Sequence, residues 1–477
     1  MRLKPGCHEP PGGRYHARVS DQDAFSPALD EAVEIAGRWL VGVREGPIPP
    51  TADVEQVKDA LGRDLPERGP AAPEVLRRMA EAIEPGLMRI GSPRFHGWVM
   101  GGAQPVSLGA DWLVSAWDQN TGLRSVTPGV VAAEELAAHW LAELLGLPAT
   151  TEIGFVTGAT VASLVGLVAA RDEVLRRAGW DPAEQGLAGG PRIRFLVGAE
   201  RHGSVDSSGL VAGLGRGRVI DADDQGRMRP DALRAALAEG SGPAIVCLQA
   251  GNIHSGAFDP LGELTDIGHE AGAWVHVDGA FGLWAAAAPR LRALTAGVER
   301  ADSWATDAHK TLNVPYDCGI AAVADPGALH RAVAQHAAYL ASSEDVADPA
   351  DRVLELSRRA RGVPVYATLA QLGREGVAGL VQRLADSATV IADGIRGIPG
   401  AEVLNDVVYT QVCAAFGTDD RTRAVGRALL ADGRALASPS VWHGRAVLRF
   451  SVSNWLTDAE EAGRTVAAVR RAVDATA

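Results

Sequence analysis

The stretch ADSWATDAHKTLNVPYDCG, residues 301–319, places Lys310 directly after His309 at the end of an apolar segment. A lysine among apolar or cationic groups loses its proton readily and can form a Schiff base with a carbonyl. Read alone, the same lysine is an ordinary exposed loop residue. Upstream, AWVHVDGAFG sets Asp278 at the end of a strongly apolar run, where a carboxylate needs a partner. ERHGSVDSSG carries His202, whose imidazole could stack on a flat ligand or simply bond within its loop. In IGFVTGAT the small-residue turn Gly158-Ala159-Thr160 opens a helical pattern. Backbone N–H groups at such a helix start make a seat for phosphate, and the same residues also suit a plain tight turn. His276 and Asp278 share one side of a strand without a third ligand, so no metal is expected there.

These residues sit at the ends of strand-sized apolar runs: IGFVT, RIRFLVG, PAIVCLQAG and AWVHVDG. Helix-sized patterns follow the runs, as in TVASLVGLVAARDEVLRRAG and ELTDIGHEAG. That alternation predicts βαβ units around a mostly parallel sheet. Ligands of such sheets bind outside the carboxyl ends of the strands. The α/β region is expected over residues 91–345. Residues 1–24, rich in Pro and Gly, read as a loose tail. Residues 25–90 read as a helical segment, with Ser26 as an N-cap before Pro27, a second helix around PEVLRRMAEAIEPG, and an extended PIPPTADVEQ between them. Two helices and a linker make a poor core, so this segment should pack on something else. Residues 346–477 read as a smaller α+β domain, helical from Ser357, with strands near EVL, VCAAF and AVLRFSVS.

Composition narrows the function classes. Across 477 residues, 46 Lys and Arg face 59 Asp and Glu, a formal charge of -13. Nucleic acid and anionic membranes call for basic patches, so neither is expected as a partner. The four cysteines, Cys7, Cys247, Cys318 and Cys413, match no metal spacing and read as free thiols of a reducing cytoplasm. The first residues lack the apolar core of a signal peptide, and no uncharged run approaches transmembrane length.

A phosphate seat, a stacking ring, a buried carboxylate and a lysine together answer the needs of pyridoxal phosphate: phosphate, ring face, pyridine nitrogen and aldehyde. The sequence resembles the pyridoxal-phosphate-dependent group II amino-acid decarboxylases, the aromatic-amino-acid and glutamate decarboxylase group. The resemblance runs from about Ser26 onward through SPRFHGWVMGG, DWLVSAWDQNTG, TGATVASLVGLVAAR, ERHGSV, GAFDPL, WVHVDGAFG, ADSWATDAHKTLNVPYDCG, SRRARG and VLRFSVSN. It implies a fold-type I, aspartate-aminotransferase-like architecture with a mostly parallel seven-stranded sheet. It also implies a homodimer with the active site at the interface, on which the N-terminal helices would pack. Residue by residue, Lys310 would be the Schiff-base lysine. His309 and Gly158-Ala159-Thr160 would hold the phosphate, with Asp307 nearby. His202 would stack on the ring, Asp278 would pair with the pyridine nitrogen, and Ala280 would underlie the ring. Trp98 would face the substrate side chain.

The implied reaction is loss of carbon dioxide from an amino acid, followed by proton delivery to Cα. One departure stands out. Many members place the proton-donating tyrosine on a mobile loop, and the corresponding ASSEDVADPADRVLELSRR, residues 341–359, has no tyrosine or phenylalanine. Tyr316 and Tyr339 flank it; His202 or a loop carboxylic acid could serve instead. The alternative outcomes are oxidative decarboxylation–deamination to an aldehyde, or another carbon–carbon lyase reaction at Cα. His254, in GNIHSGAFDP, could line the substrate pocket or be a plain loop histidine. Trp98 points toward aromatic or apolar substrates, and Arg94, Arg124 and Arg361 are the arginines that could reach an acidic one.

Overall fold

The computed structural model describes residues 22–334 and 346–476. Cys7, Tyr339, most of the N-terminal tail and the first residues of the 341–359 loop lie outside them. The chain divides into two units at Arg89/Ile90.

The first unit holds the helices Gln22–Gly42, Val54–Leu61 and Ala72–Ile83. Two expectations are corrected here. The first helix begins before Ser26 and carries Pro27 inside it, so Ser26 is not its N-cap. Pro27 is the sixth residue of this helix, past the first turn where a missing N–H costs nothing. The segment expected to be extended contains the second helix. Asp53 accepts from Gln56 N at 2.9 Å, and Gln56 Oε1 accepts from Asp53 N at 2.9 Å, a reciprocal capping box. Among the described residues of this unit only Ile48 and Ala82 are buried, which is too little for a core.

The second unit contains the strands β1 Phe95–His96, β2 Glu152–Val156, β3 Arg194–Gly198, β4 Arg218–Ile220, β5 Ala244–Gln249, β6 Trp274–Asp278, β7 Ser303–Asp307, β8 Gly319–Val323, β9 Ala401–Val403, β10 Gln411–Phe416, β11 Leu436–Trp442 and β12 Arg445–Ser451. Seven form one sheet in the order β2-β8-β7-β6-β5-β3-β4. The pairs β7–β6, β6–β5, β5–β3 and β3–β4 are parallel, while β8 runs antiparallel to both its neighbours. Every residue of β6, β7 and β8 is buried. Burial on both faces explains why these strands read as apolar runs rather than alternating ones. The fold is α/β, fold-type I, with a mostly parallel seven-stranded sheet.

The helix Ala159–Arg177 lies against this sheet, and Gly166 makes the contact close. A Cβ there would come within 2.8 Å of His276 Nδ1. His276 is fully buried beneath it and shares a hydrogen bond of 2.9 Å with Ser303 Oγ. A second sheet, β1-β11-β12-β10-β9, packs with the helices Gly362–Arg396 and Ala459–Asp474 around its own apolar cluster. The long helix starts at Gly362 rather than Ser357. Arg358 is drawn into a buried ion pair with Glu134 at 2.8 Å, and Glu134 Oε1 accepts from Gly362 N. The strand β11 was not among those expected, and Pro439 sits at its centre. The structure accommodates it: β1 pairs only with Leu436 and Ala437, leaving Pro439 facing outward from an edge.

Candidate active site

Lys310 stands on the π-helical turn Ala308–Leu312, directly after β7. Its Nζ lies 2.9 Å from Asp307 Oδ2, and the other oxygen of Asp307 accepts from Ala159 N at 2.6 Å. One buried carboxylate thus ties the lysine to the Gly158-Ala159-Thr160 turn. His309 completes the link. Its Nδ1 accepts from Cys318 N at 3.2 Å, which leaves the proton on Nε2, 3.7 Å from Asp307 Oδ1. Burial lowers the His309 pKa, so the ring is neutral.

Gly158 is the N-cap of the helix Ala159–Arg177 and makes no side-chain cap hydrogen bond. Of the first N–H groups of that helix, Ala159 N is taken by Asp307, and those that follow have no intrahelical partner. A Cβ on Gly158 would project to 3.6 Å from Asp307 Oδ1 and His309 Cε1, into the space a phosphate would use. Behind it, Gly319 lets β8 pass the turn; a Cβ there would lie 2.4 Å from the Gly158 carbonyl carbon.

Asp278, at the carboxyl end of β6, is 4% exposed and accepts from Ala280 N at 3.1 Å. Burial raises its pKa, and the charges of Lys310 and His202 work against that rise. His202 caps the helix Gly203–Val211: Ser204 N donates to its Nδ1 at 3.2 Å, and Ser204 Oγ lies 2.7 Å away. Burial lowers the His202 pKa, and Asp278 pulls the other way. The cap contacts hold the ring in place. Lys310, Asp307, His309, Gly158, Ala159, Thr160, His202, Asp278, Ala280 and Trp98 all line one cavity of about 310 Å³. An amine, an acid, a flat ring and a helix start in one pocket suit pyridoxal phosphate. Among the described residues, no three His, Cys, Asp or Glu side chains converge as metal ligands.

His254 is the exception. It is not part of that lining; its Nε2 lies 2.9 Å from Ser440 Oγ and its ring stacks on Trp442 at 6.1 Å. The second sheet supplies both partners. The three arginines considered for an acidic substrate are engaged: Arg94 with Glu461, Arg124 with Glu135, and Arg361 with Asp317 at 2.8 Å.

Two cavity features were missed. Tyr316 lines the pocket with its ring centroid 4.3 Å from that of His309. Arg449 on β12 is 6% exposed and donates to the carbonyl of cavity-lining Ile253 at 3.1 Å. Among the described residues no carboxylate pairs with Arg449, and its Nε has no partner. The sequence signal was a lone arginine inside the apolar VLRFSVSN.

Residues 55–416 match the Pyridoxal-dependent decarboxylase conserved domain. The chain belongs to this family. Its members are pyridoxal-phosphate-dependent amino-acid decarboxylases, which makes the protein a lyase with pyridoxal phosphate as its cofactor. Tryptophan decarboxylase 1 of Oryza sativa subsp. japonica is 27% identical over 465 residues, 90% of each chain. Acidic amino acid decarboxylase GADL1 of Bos taurus is 29% identical over 75% of this chain and 70% of its own. The crystal structure of Oryza sativa TDC with PLP and tryptamine superposes with a TM-score of 0.89 at 24% identity, covering 96% of this chain and 99% of the other, and shares its fold. No helix among the described residues is long and apolar enough to cross a membrane.

Proposed function

We propose that this decarboxylase converts an L-amino acid with an aromatic or apolar side chain into the corresponding amine. The carrying observation is the convergence of Lys310, Asp278, His202 and the Gly158-Ala159-Thr160 turn on one cavity. When bound, pyridoxal phosphate supplies an aldehyde that condenses with amines and a ring that withdraws electrons from the substrate Cα. Lys310 is the amine that holds it. Asp278 keeps a proton on the ring nitrogen, His202 fixes the ring plane, and Ala280 packs beneath. The N–H groups and hydroxyl of the turn, with His309, hold the phosphate. Trp98 faces the substrate side chain. Arg449, behind Ile253, gives that side of the pocket a positive potential that favours a substrate carboxylate. The site is completed by a second copy of the chain in a homodimer of the cytoplasm. Support comes from the exposed Trp112, Leu113 and Trp117 on the helix Pro105–Trp117, an apolar face in search of cover.

Tyr316 is the preferred carrier of the proton to Cα. Tyr316 is 54% exposed, and partial burial of its phenol raises the pKa, so it keeps its proton at any working pH. The loop 341–359 offers no tyrosine, and that absence supports a second reading. In it, dioxygen oxidises the substrate carbon: amino acid, oxygen and water yield aldehyde, carbon dioxide, ammonia and hydrogen peroxide.

The test is one assay on the purified, cofactor-loaded enzyme with a panel of amino acids, following carbon dioxide, amine and peroxide together. Carbon dioxide with equimolar amine and no peroxide is the expected result, from a species sedimenting at twice 49.8 kDa. Peroxide with aldehyde would establish the second reading. A Lys310→Ala protein that keeps the near-visible cofactor band would remove the assignment of that lysine.

A further inference from the structure

We infer that Asn313 is a positioning residue that holds the Lys310 turn and the Trp98–Gly102 wall of the cavity in one fixed relation. The inference rests on the reading of Lys310 as the cofactor lysine. Asn313 is fully buried and ends the π-helical turn in a left-handed conformation, φ 59° and ψ 46°. Asparagine visits that region more readily than other non-glycine residues. Its side chain is saturated. The two N–H bonds of Nδ2 serve three carbonyls, those of Lys310 at 3.0 Å, Thr311 at 2.8 Å and Ser453 at 2.8 Å, so one of them is bifurcated. Oδ1 accepts from Gly102 N at 2.8 Å and Trp455 N at 3.0 Å. Its own carbonyl accepts from Gln104 N at 2.9 Å, and Gln104 Nε2 returns a bond to the Leu312 carbonyl at 2.8 Å. Three chain segments meet on one amide: the lysine turn, residues 101–104 and residues 453–455.

The approach is close. A Cβ on Gly101 would lie 2.5 Å from the Lys310 carbonyl oxygen and 2.9 Å from Asn313 Oδ1. Just before it, Trp98 and Val99 both have positive φ, 50° and 59°. A β-branched residue there is an outlier, and such strain persists only where the surroundings over-determine it. Ser438 Oγ holds one end of the strained pair by accepting from Trp98 N at 3.1 Å; Asn313 holds the other through Gly102. The wall that faces the substrate is thereby kept in register with the lysine.

The test uses cofactor-loaded Asn313→Gly and Asn313→Asp. Glycine keeps the left-handed backbone and removes only the side chain. Aspartate keeps the shape, but when ionised it turns a carboxylate toward three carbonyls. The readouts are the pH midpoint of the Lys310-dependent near-visible band and the rate of cofactor release on dilution. In Asn313→Gly the midpoint is expected to move by about one pH unit, with release faster by about tenfold. Asn313→Asp should follow the wild type at low pH, where the buried carboxyl keeps a proton to donate, and depart from it as pH rises. A purely structural residue would lower the melting temperature and leave the midpoint in place. A wild-type midpoint and release rate in Asn313→Gly would overturn the inference. So would an Asn313→Asp protein that tracks the wild type at every pH, and that variant decides alone if the glycine one does not fold. Absence of any Lys310-dependent band in the wild type removes the lysine reading and this inference with it; a band present but unmoved in both variants removes only the inference.

Discussion

On the proposed function, Tyr316 is the residue on which the outcome of the reaction turns. It lies six positions after Lys310, against the His309 ring, with a phenol that burial keeps protonated. An acid that holds its proton can still deliver it to a carbanion, since the carbanion is far more basic. His202 is the competing donor: its Nδ1 accepts at the helix cap, which leaves its proton on Nε2. Tyr316→Phe is therefore expected to slow amine formation by about 10²–10⁴-fold, with cofactor binding intact. Carbon dioxide release and amine formation, measured separately, check this. Unchanged amine formation in that variant would pass the role to His202. Asp278, His202 and Lys310 were legible in the sequence because each sits beside a strand end. Tyr316 was visible only as a nearby tyrosine, while Asn313 and Arg449 were not legible because their meaning lies in distant contacts: Asn313 meets Gly102 across 211 positions and Ser453 across 140.

At the scale of elements, the site depends on how closely β8 passes the phosphate turn. Gly319 pairs with Val156 at the end of β2 and with Asp307 at the end of β7, directly behind Gly158. A methyl group there meets backbone at 2.4 Å, which no side-chain adjustment relieves. Gly319→Ala is expected to cost about 1–3 kcal/mol in urea unfolding, and to weaken cofactor retention by displacing Gly158. Equal stability and equal retention would show that the turn can shift freely. The large sheet was readable because parallel strands buried on both faces leave continuous apolar runs. The departures came where a local signal competed with a tertiary one. Pro-rich PIPP hid the capping box that starts at Asp53, Pro27 suggested a helix start that lies further back, and Pro439 stands in an unexpected strand that tolerates it only at an outward-facing edge. His254 read equally as a pocket residue or a plain loop histidine, and Ser440 and Trp442 from β11 show what its ring meets.

The whole molecule carries a formal charge of -13, so mild acid relieves its self-repulsion, yet its buried histidines act the other way. Burial holds His96 and His276 down to about 3 and His254 down to about 4. Unfolded, each would take a proton near pH 6.5. Between about pH 6.5 and 4 the unfolded chain therefore binds more protons than the folded one, and stability falls as pH falls. Asp259 opposes this in part. Burial raises it to about 6, so its folded form takes up a proton first and gains stability as pH drops from about 6 toward 4. Three groups against one leave a net acid lability. At pH 4.5 the His254 contribution is about 2 kcal/mol. His254→Gln, which keeps a donor within reach of Ser440, should flatten the fall in unfolding free energy between pH 7 and 4.5 by that amount. The histidine lies outside the cavity lining, so the cofactor band should be unaffected. Urea titrations of both proteins across that range check it. An identical slope in the variant would mean that His254 already takes up its proton in the folded state, with its ring released from Trp442.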